Sequence, residues 1–321
     1  MKLFTSLREG TTPPVAVEIA AGRVAVASLE RRGGQPVVSQ HATELLPDGA
    51  LVPSLTASNT HDRAAVMTAL NRALEKVGRP RRIGLVVPDA IAKVSLVRFE
   101  QVPTRSSDLD QLVRWQVRKS APFPIEEAQV SYVPALRHAD GQEFLVSLAR
   151  RGVIQEYEAL CTEAGAHAGL VDLATFNVVN VLLAGSAPPA DDWLLVNVAS
   201  DSASIALLRG PHVIFFRNRV NDTEGTLADL VHQTAMYYED RLQGAGFSRV
   251  VLAGAASGSA RLGEVEQVRR SLEDRLSARV ETVDPRAAAA LTDRITAAPA
   301  LLDSLAPLVG LLLRDRAGVT A

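Results

Sequence analysis

Three short stretches of this chain combine a tight turn with polar or acidic side chains. In Val15–Leu29 (VAVEIAAGRVAVASL) and Leu194–Leu208 (LLVNVASDSASIALL), a buried strand runs into a turn of small residues, and a second strand leaves antiparallel. Glu18 stands just before Ala20, Ala21 and Gly22, and Asn197 just before Ala199, Ser200 and Asp201. The third stretch, Gly254–Ser259, follows a strand at Arg249–Ala253 and precedes a helix at Leu262–Leu276. Its backbone N–H groups could cradle a phosphate, but it lacks the P-loop lysine and the dinucleotide-binding glycine pattern, which favours a plain strand-to-helix turn. Other chemistry is discounted. The six histidines show no paired spacing and there is one cysteine, so no zinc or other metal site is expected. Cys161 shares an apolar face with Ile154 and Tyr157, as a buried structural thiol would. No residue is assigned a catalytic role.

The elements that must position these turns read as two similar halves. A chain of 321 residues with 47% hydrophobic content buries a substantial core, and its length favours two domains. The balance of 34 basic and 36 acidic residues speaks against nucleic-acid binding, and a single cysteine fits a reducing, cytoplasmic compartment. The first ten residues hold no apolar run of signal-peptide length, and the apolar stretch Ala300–Leu313 is interrupted by Asp303, Ser304 and Pro307. After the first hairpin come a strand at Val37–His41, a loop to His61, a helix over Asp62–Val77 and a strand at Ile83–Val87. From Ala92 the texture changes to a β-α-β-β-α module: Lys93–Phe99, Ser107–Lys119, Gln129–Leu136, Glu143–Ala149 and Ile154–Glu163. Val171–Ala184 is read as a helix that resumes the first half. The second half holds His212–Val220, a long helix over Asp222–Leu242, the Arg249–Ala253 strand, Leu262–Leu276, a strand at Val280–Val283 and a buried closing helix at Pro299–Leu313.

That layout resembles the actin-like ATPase superfamily, with its two phosphate hairpins and an adenosine loop. The segment Trp115–Tyr132 (WQVRKSAPFPIEEAQVSY) is more specific and is similar to the PilM family of type IV pilus assembly proteins, in which a Trp-containing helix precedes a PFPIEE turn and a strand. The resemblance implies an α/β, actin-like (ribonuclease H-like) two-lobed fold with the β-α-β-β-α subdomain inserted in the first lobe. Residues 1–91 and 166–187 would form the first lobe, 92–165 the insertion and 188–321 the second lobe. Cytoplasmic modules of type II secretion L proteins share the lobes and are the close alternative.

The resemblance also implies where a nucleotide would sit: Glu18, Ala20, Ala21, Gly22, Asn197, Ala199, Ser200, Asp201, Gly254 and Ala255. Active members place an aspartate in each phosphate turn for the waters of Mg²⁺, and glycines for close backbone approach. Here Glu18 is a methylene too long, Asn197 has lost the charge, and alanines stand at glycine positions. The expectation is a pseudo-ATPase with no cofactor, against an enzyme alternative binding ATP and Mg²⁺ with Glu18 and Asp201 in shifted roles. The family is understood to hold the N-terminal cytoplasmic peptide of the inner-membrane protein PilN between the inserted subdomain and the first lobe. Phe99, Trp115 and Phe123 are the candidates for that contact, although aromatic residues equally fill a small core. The implied role is a scaffold at the cytoplasmic face of the inner membrane, peripheral through its partner, touching other pilus assembly proteins and self-associating.

Overall fold

A computed structural model describes residues 13–220, 226–257, 262–293 and 295–314. The chain runs β1 (Val15–Ala20), β2 (Arg23–Arg32), β3 (Gln35–Leu45), α1 (Arg63–Lys76) and β4 (Arg82–Val87), then β5 (Ala92–Phe99), α2 (Ser106–Arg118), β6 (Ala128–His138), β7 (Gly141–Arg150) and α3 (Arg151–Glu163). It continues with β8 (His167–Leu173), α4 (Ala174–Gly185), β9 (Asp192–Val198), β10 (Ser202–Arg209), β11 (His212–Val220), α5 (Leu227–Leu242) and β12 (Arg249–Ala253). The last elements are α6 (Leu262–Leu276), β13 (Val280–Thr282), β14 (Ala290–Leu291) and α7 (Pro299–Leu312). The start of the helix expected from Asp222 and the end of the Gly254–Ser259 loop lie outside the described residues.

The two halves share one topology. The first sheet has the order β14-β3-β2-β1-β4-β8 and the second β11-β10-β9-β12-β13, so each is an antiparallel meander followed by two parallel strands. Period-2 alternation splits the first hairpin between two cores. Val15, Val17 and Ile19 face α1 and α3, whereas Ala16, Ala25 and Ala27 face α7. The other face of the second sheet, with Trp193, Leu195 and Leu208, meets the same inner layer of α4 and α7. That layer is therefore the shared core of the two lobes. Side chains such as Leu305, Leu308 and Leu311 are buried in it, at about 2 kcal/mol each. Close approach needs glycine: a Cβ on Gly310 would lie 1.7 Å from the Asn177 carbonyl oxygen of α4.

Three expectations change. The helix expected from Val171 begins at Ala174, and residues 167–173 form β8, which pairs parallel with β4. Gly169, Ala168 and an edge position leave that strand with little periodic signal. The tail assigned to the second lobe also moves: β14 joins β3, and α7 packs on β1, β2 and β4. An apolar helix needs cover on all sides, and the space between the sheets supplies it. Finally, α3 packs Val153, Tyr157, Leu160 and Cys161 into the core of the first sheet, so the expected 92–165 insertion has its own core only in β5, α2, β6 and β7.

Candidate functional site

The three turns singled out by sequence meet in one place. Gly22, between β1 and β2, lies so near the β9–β10 turn that a Cβ on it would stand 3.5 Å from Ser200 Oγ. Gly254, after β12, holds φ at +78°, and a Cβ there would come within 2.0 Å of the Val198 carbonyl oxygen and 3.0 Å of Asn197 Oδ1. Only glycine fits that position. Ala199 and Ser200 are exposed at the second turn, Ala20 and Ala21 are half-buried at the first, and Ala255 is buried.

The charges at this junction are tied to one another. Glu18 is 4% exposed, and its Oε2 accepts from Nε and Nη2 of Arg23 at 3.0 and 2.8 Å. The same guanidinium donates Nη1 to the Ser257 carbonyl oxygen at 2.9 Å, crossing from the first hairpin to the loop after β12. On the other side of that loop, Asp303 of α7 accepts from the Ala256 N–H at 2.6 Å and also faces the N–H groups of Gly254 and Ser257. Burial pushes the Asp303 carboxyl above the usual carboxylate range, partly offset by those N–H groups. Asp201, in the second turn, is likewise raised by burial.

Asn197 donates Nδ2 to Thr175 Oγ1 at 2.9 Å. It joins a buried network in which Asp89 accepts from the Thr175 N–H at 3.1 Å, from the Thr175 hydroxyl and from Ser204 Oγ at 2.7 Å. Burial raises the Asp89 carboxyl despite these donors. The donor set does not suit a magnesium–nucleotide. A guanidinium already holds the Glu18 carboxylate, Asn197 offers a neutral amide, and a carboxylate occupies the N–H groups of the third loop. No group of three or more His, Cys, Asp or Glu residues suited to a metal ion occurs among the described residues. Arg23 and Asp303 are the site residues that sequence reasoning missed. Their signals were a lone arginine at the hairpin turn and a lone aspartate inside an apolar helix, each of which needs a partner when buried.

A second site is open. Between the three-stranded sheet β5-β7-β6 and the pair β8 and α3 runs a groove of about 490 Å³. Gln129, Ser131, Ser147 and Ala149 line one wall, and Ile154 and the 168–173 backbone the other. Both β6 and β8 are edge strands, each with one long side that pairs with no other strand among the described residues. A trough of about 640 Å³ at the start of α3 continues it, sharing Arg151 and Gln155.

The three aromatic residues expected at this groove are elsewhere. Phe99 is buried with Phe144, at 5.9 Å between ring centroids, and Phe123 packs on the same core under α2. Trp115 is 64% exposed and lines neither cavity. Strand alternation explains the outcome: Val146, Leu148, Val130 and Tyr132 point to α2, and the opposite face is left with small polar residues. The period-2 run of Gln129, Ser131, Ser147 and Ala149 was the available signal.

No helix among the described residues is long and apolar enough to cross a membrane. The family model for type IV pilus assembly protein PilM matches residues 16–241. Among solved structures, a PilM–PilN type IV pilus biogenesis complex aligns with a TM-score of 0.79 at 17% identity, over 95% of this chain and 99% of that one. This likeness carries the two-lobed actin-like fold. The cytoplasmic domain of EpsL, an inner-membrane component of the type II secretion system of Vibrio cholerae, aligns at 0.47 and 11% identity, over 83% and 95%. The ethanolamine utilization protein EutJ from Carboxydothermus hydrogenoformans aligns at 0.49 and 9%, over 95% and 90%. Neither of the last two is near enough to carry an argument. No curated protein sequence matches the chain.

Proposed function

The chain belongs to the PilM family of type IV pilus assembly proteins, and from that premise we propose that it is a non-catalytic scaffold whose groove beside the inserted subdomain docks an extended N-terminal peptide of a PilN-like inner-membrane protein. The observation that supports this reading is the edge strand β8 lining a cavity of about 490 Å³, with the polar face of β6 and β7 opposite it. An extended segment laid along β8 satisfies that edge with main-chain hydrogen bonds, and small residues on the facing wall leave space for its side chains. Docking of this kind holds the chain at the cytoplasmic face of the inner membrane through its partner. Hydrolysis has no place in this role, because Arg23 already holds the Glu18 carboxylate and Asn197 offers only a neutral amide at the second hairpin.

The test is a fluorescence-anisotropy titration of a labelled peptide carrying the partner's cytoplasmic N-terminus. Ser131 is exposed in the groove wall, so Ser131→Trp fills the space without disturbing the core. The substitution is expected to weaken binding at least about tenfold, or ~1.4 kcal/mol. Equal affinity for the wild type and Ser131→Trp would move the docking surface off the groove.

A further inference from the structure

We infer that Arg23 and Asp303 form an internal latch that closes the cleft between the lobes in place of a bound nucleotide, so that lobe closure in this chain needs no ligand. The inference concerns the cleft and goes beyond the docking role of the groove.

Both groups belong to the first-lobe side. Arg23 opens β2, and Asp303 sits on α7, which packs on β1, β2 and β4. Both grip the same second-lobe loop, residues 254–257, from different directions. Arg23 takes its carbonyl at Ser257, while Asp303 takes its N–H at Ala256 and faces those of Gly254 and Ser257. The loop therefore receives a positive charge at a backbone acceptor and a negative charge at a nest of donors. A magnesium–nucleotide would bring the same two kinds of charge, a cation and an anionic phosphate, to such turns. Here both are covalently part of the chain. Glu18 completes the arrangement: its carboxylate fixes the guanidinium through two N–H donors and leaves the Arg23 side chain only 15% exposed.

Gly254 shows that the fit is close. It admits no side chain, because Val198 of the neighbouring strand occupies the space a Cβ would need. The loop is further tightened by Ser257 Oγ donating to the Gly254 carbonyl oxygen at 3.0 Å. A backbone segment held this way from three sides exchanges its amide hydrogens only when the cleft opens.

Hydrogen exchange of the full chain tests the latch. In the wild type, the amides of residues 254–257 are expected to be protected, and millimolar Mg–ATP or Mg–ADP is expected to change neither that protection nor the melting temperature. Glu18→Gln combined with Arg23→Gln removes the guanidinium without stranding a buried charge, and Asp303→Asn weakens the second arm. Each is expected to speed exchange of 254–257 at least about tenfold while the amides of β9 stay slow. Unchanged exchange in folded variants would overturn the latch. So would wild-type protection that rises on adding Mg–ATP, and this arm needs no variant to fold. Neither readout touches the groove, so a failed latch leaves the docking role standing.

Discussion

The cleft between the lobes and the groove beside the inserted subdomain are both seams between folded units, yet they are finished in opposite ways. In the cleft, every strong donor or acceptor described at the junction meets a partner from the same chain: Glu18 with Arg23, Asp303 with the 254–257 backbone, Asn197 with Thr175. At the groove, the edge strand β8 pairs with no other strand on its outer side among the described residues, and the wall facing it carries mostly small side chains. An unpaired edge is a liability in a soluble protein unless something covers it. In the proposed scaffold role, the cleft is filled from within and peptide binding falls to the other seam.

Two glycines sharpen this contrast most. Gly310 lies at the crossing of α4 and α7, where a Cβ would be 1.7 Å from a carbonyl oxygen, so Gly310→Val must push the two helices apart. We expect a loss of about 4 kcal/mol or more, read as a lowered urea midpoint or loss of soluble protein. Gly152, at the start of α3 beside the trough, has nothing within 4 Å of the point a Cβ would occupy. There Gly152→Ala is expected to be neutral or stabilising by about 0.5 kcal/mol. Similar costs at both positions would mean that the groove side is packed as tightly as the layer between the lobes.

Much of this contrast lay in the sequence, but unevenly. The two hairpins, the inserted sheet and the buried closing helix follow from alternation, turn residues and a long apolar run, all of which are local. Residues 167–173 were missed because an edge strand containing Gly169 and small residues is specified by pairing with β4, a contact made at long range. The placement of α7 under the first sheet was hidden for the same reason. Charge pairs were harder still: Glu18 and Arg23 are five residues apart, but Asp303 meets Ala256 across 47 residues, and no pattern in the chain announces it. The groove was sought among aromatic residues, whereas its wall is marked by their absence.

A smaller effect separates the two seams by pH. On the groove side, burial tends to raise the Glu156 carboxyl, but the N–H groups of Asn59 and Thr60 and the Ser58 hydroxyl outweigh it and hold the group below its ordinary 4.5. A lowered folded value means that Glu156 contributes stability above about pH 4.5, which is lost as pH falls through the folded value. Asp303 runs the other way. Its folded value is raised above 3.8, so its ionised form costs stability at neutral pH, and that cost is relieved as the solution is acidified toward 3.8. Glu156→Gln is therefore expected to lower stability by about 1 kcal/mol at neutral pH and to flatten the acid-side loss. Asp303→Asn is expected to flatten an acid-side gain. Urea midpoints measured between neutral pH and the mildly acidic range decide this, and variants that change the slope in the same direction break the comparison.

The least effect is expected at the residue that looks most like a binding anchor. Trp115 is 64% exposed on α2, whose buried stripe is Leu109, Val113 and Val117 at a spacing of four. Trp115 falls between those positions, so its side chain turns away from the core that they share with Val146 and Leu148. Removing it takes little apolar area out of a packed interior, and Trp115→Ala is expected to change stability by less than about 0.5 kcal/mol. Peptide affinity is expected to stay unchanged as well, because the groove lies on the opposite face of the three-stranded sheet, where Gln129 and Ser131 point. A tryptophan at a peptide interface is commonly an energetic anchor, with losses of about 2 kcal/mol on truncation. A loss of that size for Trp115→Ala, with Ser131→Trp silent, would transfer the docking surface from the open seam to the outer face of α2, and the division between a filled cleft and an open groove would no longer describe how this chain binds.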